Sequence, residues 1–283
     1  MNAFRIAEIT KPYTDYDMIQ KHTSLPELAE CRANLLLLFL NTAQEDTAQN
    51  ELITIATSLV QLGLDTHDLV PVNNVQKEEK DARSRQLKVL AGDYFSSRFY
   101  HILAKAGQIE MIKQLSNAIC EVNRTKMNLY LKMKQQKMTT VEFLEQSTQI
   151  KIQLFLSFEH LLNDEQRQIW SEILHMLAVG EVLWVEIERS KNLDDFQGSW
   201  AYWHLLQSAT KDEKKQLQQG EPDKLRELNT KYRSTLELQL LLDKNIGQLK
   251  SRIQQIESES LKHKITAICE PHLEFQTATE VAN

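Results

Sequence analysis

Glycine and proline are scarce in this sequence of 283 residues, which contains only 7 glycines and 5 prolines. Average usage is about 7% for glycine and about 5% for proline. Both residues interrupt helices, so a chain this poor in them is expected to be mostly helical. The composition therefore predicts an all-α fold.

Other absences narrow the class of protein. The three cysteines, Cys31, Cys120 and Cys269, lie far apart and form no C-x-x-C pair, so neither a zinc site nor a disulfide framework is expected. No dense basic block occurs and the net charge is −6, which argues against nucleic acid as a partner. The longest apolar run, residues 35–40, is far shorter than the ~20 residues of a transmembrane helix. With no signal peptide in the acidic N-terminus, we expect a soluble, cytoplasmic protein.

Helical periodicity divides the chain into three regions. Residues 1–22 are polar and are expected to be loosely ordered. Residues 23–217 are predicted to form a helical bundle domain, whose first helix begins at Ser24 with Pro26 in its first turn. Residues 218–283 are predicted to form an amphipathic helical extension, in which Pro222 opens a long C-terminal helix.

The C-terminal extension carries apolar residues at the 4-3-4-3 spacing of a coiled-coil seam. They are Leu242, Ile246, Leu249, Ile253 and Ile256. The spacing is clean over only about two heptads. It leaves open whether the helix pairs with another chain or lies on its own domain.

The residues that suggest chemistry lie on two bundle helices between positions 52 and 100. The first helix is apolar and ends in Asp65, His67 and Asp68, and the second carries Gly92 and Asp93 in its middle. A carboxylate within an apolar helix is costly unless it has a partner. Aspartates that face each other across a helical bundle can hold magnesium and a phosphate group. The same acids could instead form a solvated helix end or pair with nearby arginines.

The order of these features resembles that of the trans-polyprenyl diphosphate synthases, which are all-helical. In that family a first aspartate-rich motif, H-D-D-x-x-D, ends one core helix. An arginine-bearing loop then leads to a helix with a segment like A-V-L-x-G-D-x-L. The corresponding residues here are 67–72 (HDLVPV), Arg83 and Arg85, and 88–95 (KVLAGDYF). Only Asp68 remains of the three motif carboxylates, so the resemblance implies a degenerate isoprenoid-synthase-like helical bundle.

The second aspartate-rich motif of that family, F-Q-x-x-D-D-x-x-D, is also missing. Its nearest counterpart by position, residues 182–188 (VLWVEIE), lacks the acidic triplet. Ionising an allylic diphosphate requires about three Mg²⁺ between two carboxylate clusters. The chain is therefore expected to be inactive alone and to bind no metal or other cofactor by itself, while Mg²⁺ is expected in a catalytic partner.

One branch of the family shares this pattern, namely the small subunit, component I, of two-component heptaprenyl diphosphate synthases. Residues 50–132 closely resemble it. The resemblance implies a regulatory, non-catalytic subunit whose obligate partner is the catalytic component II. Together they would condense isopentenyl diphosphate onto an allylic diphosphate, giving an all-trans heptaprenyl or similar diphosphate for the menaquinone side chain.

The resemblance also implies where the partner binds. In the family's homodimers, the helix with the Gly-Asp pair and the next helix make most of the subunit contact, which points to residues 82–105 and 109–132. Aromatic residues lie around Asp93 on more sides of the helix than a single apolar stripe would occupy. This is expected of a helix that is buried against two neighbours. The predicted partner interface consists of Tyr94, Phe95, Arg98, Phe99 and Tyr100.

The residues also permit two other functions. His67-Asp68 matches the dipeptide of the metal phosphohydrolases named for histidine and aspartate, whose fold needs another histidine upstream. His22 is the only histidine available there. The second alternative is a helical scaffold that recruits another protein through its C-terminal seam. Nucleophilic catalysis has no support, because G-x-S-x-G, a glycine-rich phosphate loop and H-E-x-x-H are all missing.

Overall fold

A computed structural model describes residues 6–15, 17–70 and 79–274. These residues form thirteen α-helices and a short 3-10 helix, and no β-strand occurs among them. The all-α prediction is confirmed. No helix within these ranges is long and apolar enough to cross a membrane.

The helices belong to two compact units. The first unit comprises the described part of Met1–Cys120 together with Leu154–Trp170, and the second comprises Glu121–Gln153 and the described part of Ser171–Asn283. Three helices contribute residues to both units: α6 (Ile109–Lys134), α7 (Thr140–Leu156) and α8 (Asp164–Lys191). The first unit also contains α1 (Ile6–Thr14), α2 (Asp17–His22), α3 (Glu30–Ala43), α4 (Thr47–Asp68), α5 (Glu79–Lys105) and the 3-10 helix Glu159–Leu161. The second unit also contains α9 (Trp200–Ser208), α10 (Lys211–Gln219), α11 (Pro222–Tyr232), α12 (Ser234–Gln254) and α13 (Glu259–Leu273).

Helix α4 is buried on most of its sides. It begins after Asp46, whose carboxylate accepts a hydrogen bond from the Gln49 amide at 3.0 Å. Its buried hydroxyl groups donate to the carbonyl four residues earlier, at distances of 2.6–2.8 Å. These residues are Thr54, Thr57, Ser58 and Thr66. Because the helix satisfies its own hydroxyl groups, it can be buried without unpaired polar atoms at these positions.

The N-terminal region differs from the expectation of a loosely ordered segment. Its described residues form α1 and α2, and Ile6 and Thr10 are buried. Tyr13 of α1 and Ile19 of α2 pack against an apolar cluster formed by α4 and α5. A few anchoring side chains in a polar sequence are enough to dock these short helices.

Helix α3 begins at Glu30 rather than near Ser24, because residues 23–29 are not helical. Pro26 disfavours the helical conformation for the residue before it. That residue, Leu25, packs against the same cluster of α4 and α5. The predicted cap at Ser24 is therefore wrong, and the segment serves as an extended connection.

The C-terminal region contains three helices where the sequence predicts one long helix. Pro222 begins α11 as expected. Arg233 then adopts a left-handed backbone conformation, with φ of 53°, and separates α11 from α12. The predicted seam residues are all buried within this chain: Leu242, Ile246, Leu249, Ile253 and Ile256. Of the two alternatives, the described residues therefore support the one in which the seam lies on its own domain.

The same region belongs to the core of the second unit. Leu225 and Leu228 of α11 and Leu238 of α12 pack in one apolar cluster with Trp200 and Trp203 of α9. Residues 218–274 are thus part of a packed unit, whereas the sequence predicts an appended extension.

Candidate functional site

Two glycines allow α4 and α5 to approach each other closely next to the predicted motifs. A methyl group added to Gly63 of α4 would lie 3.1 Å from the carbonyl oxygen of Gly92 and 3.3 Å from the amide nitrogen of Ser96. One added to Gly92 would lie 2.6 Å from the His67 ring. A side chain at Gly63 would push the helices apart, and one at Gly92 would displace the His67 ring. The crossing therefore sets the position of His67 against α5.

His67 and Asp93 are the residues of the two predicted motifs that the structure brings together. Nε2 of His67 lies 3.4 Å from Oδ1 of Asp93, and the two side chains are 36% and 67% exposed. This separation is longer than an ordinary hydrogen bond. An ion pair this exposed contributes at most ~1 kcal/mol to stability. The carboxylate of Asp93 therefore remains largely in contact with water.

Asp65 points to a different set of partners. Its carboxylate accepts a hydrogen bond from Nε2 of Gln61 at 2.8 Å, and Oε1 of Gln61 lies 3.4 Å from Nη1 of Arg32. Arg32 is buried, with its guanidinium 5.1 Å from the centre of the Phe155 ring. A buried cation needs nearby negative charge. Gln61 thus connects Asp65 to the buried Arg32 within this chain.

Asp68 lies exposed in the last turn of α4. The next residue, Leu69, stands where the family motif has its second carboxylate. The third motif position, Val72, lies outside the described residues, as does Pro71. Within the described ranges, no group of three histidine, cysteine, aspartate or glutamate side chains is placed to hold a metal ion.

At the position predicted for the second motif, Glu186 of α8 is buried. Its carboxylate accepts hydrogen bonds from the backbone N–H of Trp200 at 2.6 Å and from Nη1 of Arg189 at 2.7 Å. Burial raises the pKa of Glu186, while Arg189 and the Trp200 N–H act in the opposite direction. Since Trp200 is the first residue of α9, the carboxylate stabilises the N-terminus of that helix. This function of Glu186 was not foreseen from the sequence.

Two residues of the predicted partner interface belong to the core instead. Phe95 and Phe99 are buried within this chain. Phe95 packs in the cluster with Leu59 and Leu62 of α4. Neither phenylalanine has surface to offer a partner, which corrects their assignment to the interface.

Two further interface candidates, Arg98 and Tyr94, make contacts within this chain. The Arg98 guanidinium lies 5.2 Å from the ring centre of Tyr13 and 5.9 Å from that of Tyr94. Such cation–π contacts are worth about 0.5–1 kcal/mol at exposed sites and more when desolvated. Arg98 thus connects α1 to α5, and Tyr94 contacts Arg98 within α5. Tyr100, the remaining candidate, is 57% exposed.

The exposed side of α5 carries an apolar surface that includes Tyr100. Val89 and Leu90 are also exposed there, and Asp93 lies on the same side. Because these positions differ by three, four and seven residues, they form one strip about 16 Å long. We call Val89, Leu90, Asp93 and Tyr100 the α5 strip. Val89 and Leu90 are not among the predicted interface residues. The polar Ser97, two turns after Leu90, lies on the same side of the helix.

We expect Gly63→Ala to lower the free energy of unfolding by about 1–3 kcal/mol, because the new methyl group would crowd backbone atoms of α5. Gly247→Ala in α12 is the matched control, since nothing lies within 4 Å of a methyl group added there. The control is expected to leave stability unchanged or to raise it by up to ~1 kcal/mol. Denaturant titrations measure both. Equal changes in the two variants would contradict the close crossing of α4 and α5.

Comparison with known sequences finds the same family along most of the chain. The family described as heptaprenyl diphosphate synthase (HEPPP synthase) subunit 1 matches residues 16–234. Heptaprenyl diphosphate synthase component 1 of Geobacillus stearothermophilus is 38% identical over 93 residues. That alignment covers 33% of this chain and 40% of the relative, which is less than half of the relative's length.

Solved structures share the fold over nearly the whole chain. A geranylgeranyl pyrophosphate synthase from Lactobacillus brevis is similar with a TM-score of 0.75 and 13% identity, covering 96% of this chain and 95% of that one. A heptaprenyl diphosphate synthase from Staphylococcus aureus is similar with a TM-score of 0.67 and 13% identity, covering 98% of both. The predicted isoprenoid-synthase-like fold is confirmed.

Proposed function

Because this chain belongs to the heptaprenyl diphosphate synthase subunit 1 family, we propose that it is the non-catalytic, regulatory subunit of a two-component polyprenyl diphosphate synthase. Its partner is the catalytic component, component II, which holds Mg²⁺. The pair condenses isopentenyl diphosphate onto an allylic diphosphate. The product is a heptaprenyl diphosphate, or one of similar length, for the side chain of menaquinone.

The observation that carries this proposal is the loss of carboxylates from both motif positions in a chain that keeps the fold. Asp68 is the motif carboxylate that remains at the first position, and Glu186 at the second is buried against the N-terminus of α9. A diphosphate leaving group needs divalent cations, and these need several oxygen ligands. These side chains support a role that is exerted through a partner.

The α5 strip supports the choice of a protein partner. Large apolar side chains exposed together on one side of a helix are suited to a protein contact, and tyrosine is enriched in interfaces. Leu90 and Tyr100 are more than half exposed on the helix that the family resemblance assigns to the subunit contact. In the second unit, α6 also exposes apolar side chains within the predicted contact region: Met127, Tyr130 and Leu131.

The two alternatives gain no support from the described residues. A metal phosphohydrolase needs a cluster of metal ligands around His67 and Asp68, and no three-residue cluster is found there. A scaffold that binds through the C-terminal seam needs that seam exposed, whereas its residues are buried. The apolar residues of the α5 strip, in contrast, are exposed.

A mixing experiment tests the proposal. This chain, the catalytic component and their equimolar mixture are each supplied with Mg²⁺, isopentenyl diphosphate and farnesyl diphosphate, and the products are analysed by chromatography. We expect no product from this chain alone and long-chain product from the mixture. Asp68→Asn should activate the catalytic component as well as the unaltered chain does, because this carboxylate holds no metal in the proposal. Turnover by the purified chain alone would overturn the proposal, and lost activation by Asp68→Asn would assign Asp68 to the substrate site.

A further inference from the structure

We propose that Asp93 is the charged centre of the surface that binds the catalytic component, and that the partner presents a lysine or arginine side chain to it. This inference rests on the proposed function and adds the chemistry of the contact. Its basis is the placement of one carboxylate among the apolar residues of the α5 strip.

The geometry puts Asp93 inside the strip. It lies one turn after Val89 and Leu90 and two turns before Tyr100. Around the helix, at 100° per residue, Asp93 lies between Tyr100 and Leu90. A partner that covers both of these side chains must also cover the carboxylate.

Covering Asp93 removes a charge from water. The carboxylate is now 67% exposed, so water supplies most of its solvation. A carboxylate that is buried in an interface without a compensating cation costs more than the surrounding apolar contacts gain. The partner must therefore supply positive charge at this point, because a buried carboxylate without it would weaken the binding of the catalytic component.

His67 does not meet this need. Its Nε2 lies 3.4 Å from Asp93, beyond an ordinary hydrogen bond, and the ring is charged only when protonated. The ring also lies close to Gly92. Both oxygens of Asp93 can therefore accept hydrogen bonds from a partner's ammonium or guanidinium group, the strong charge-assisted kind.

The experiment compares three variants in binding to the purified catalytic component, measured by calorimetry at several salt concentrations. Asp93→Asn removes the charge and keeps the shape, and it is expected to raise Kd by roughly 30-fold or more. It should also flatten the dependence of Kd on salt, because an ion pair across the interface is lost. Asp93→Glu should recover much of the affinity. His67→Gln leaves the carboxylate available and should bind nearly as well as the unaltered chain.

Each outcome has a distinct meaning. If Asp93→Asn binds with unchanged Kd and salt dependence, the carboxylate does not face a cation and the inference is overturned, while the proposed function stands. If Asp93→Asn and His67→Gln weaken binding equally, Asp93 acts by holding α4 and α5 together, which also overturns it. If the unaltered chain neither binds nor activates the catalytic component, the proposed function itself fails.

Discussion

Replacing Phe95 by alanine is expected to lower the free energy of unfolding by about 3–5 kcal/mol. Phe95 is completely buried and packs with Leu59, Leu62 and Ile102 between α4 and α5. Alanine would remove most of the side chain and leave a cavity that the close helix crossing prevents from collapsing. Denaturant titration followed by circular dichroism measures the loss. It is large against the 5–15 kcal/mol that stabilises an ordinary domain.

Tyr100→Ala provides the matched control on the same helix. Tyr100 is 57% exposed, so its removal should change the free energy of unfolding by less than ~0.5 kcal/mol. It should weaken binding to the catalytic component, because it takes apolar area from the α5 strip. A Tyr100→Ala variant as unstable as Phe95→Ala would contradict the division of α5 into a core face and a docking face.

The division of α5 into a core face and a docking face could be predicted from the sequence only in part. Hydrophobic periodicity predicts α5 and the apolar face that includes Phe95. It does not tell whether the helix that packs against an aromatic side chain of this face belongs to the same chain or to a partner. Phe95 packs against α4, and Arg98 contacts Tyr13 of α1. The contact with α1 involves residues about 85 positions apart, whose pairing follows from the tertiary fold and not from local spacing.

Local signals predict one helix start correctly and one wrongly, and they miss the helix break. The start at Pro222 is predicted correctly, because the fixed φ of proline suits the first turn of a helix, whereas the start predicted at Ser24 is wrong. The break at Arg233 has no such signal. A left-handed backbone conformation is usually taken by glycine or asparagine, and an arginine adopts it at a cost of order 1 kcal/mol. Burial of apolar residues on both α11 and α12 offsets that cost, which is a tertiary effect.

The sequence predicts which residues belong to the candidate site, but it does not predict which partners their side chains contact. The order of the motifs identifies Asp65, His67, Asp68, Gly92 and Asp93. Their partners come from elsewhere, since Asp65 connects through Gln61 to Arg32 and Glu186 binds the first residue of α9. Asp65 and Glu186 therefore make contacts within this chain. Among the described residues, His67 of the first motif lies 3.4 Å from Asp93 of the second and close to Gly92.

Replacing Leu90 by aspartate is expected to abolish activation of the catalytic component without unfolding the chain. Leu90 is 62% exposed, so its side chain contributes little to the core. The new carboxylate would lie one turn from Asp93 and would have to be buried when the α5 strip is covered. We expect binding to weaken at least 100-fold, as is typical when a charge is buried without a partner. Product formation at increasing concentrations of the variant measures the effect.

Leu240→Asp on α12 is the matched control, since this leucine is 55% exposed and lies in the second unit, away from the α5 strip in sequence. It introduces the same charge into a similar environment and should activate the catalytic component normally. Equal loss of activation in both variants would mean that added negative charge acts nonspecifically, and full activation by Leu90→Asp would remove α5 from the contact. If Leu90→Asp fails while Asp68→Asn succeeds, this chain contributes to the reaction through its surface and not through a metal site of its own.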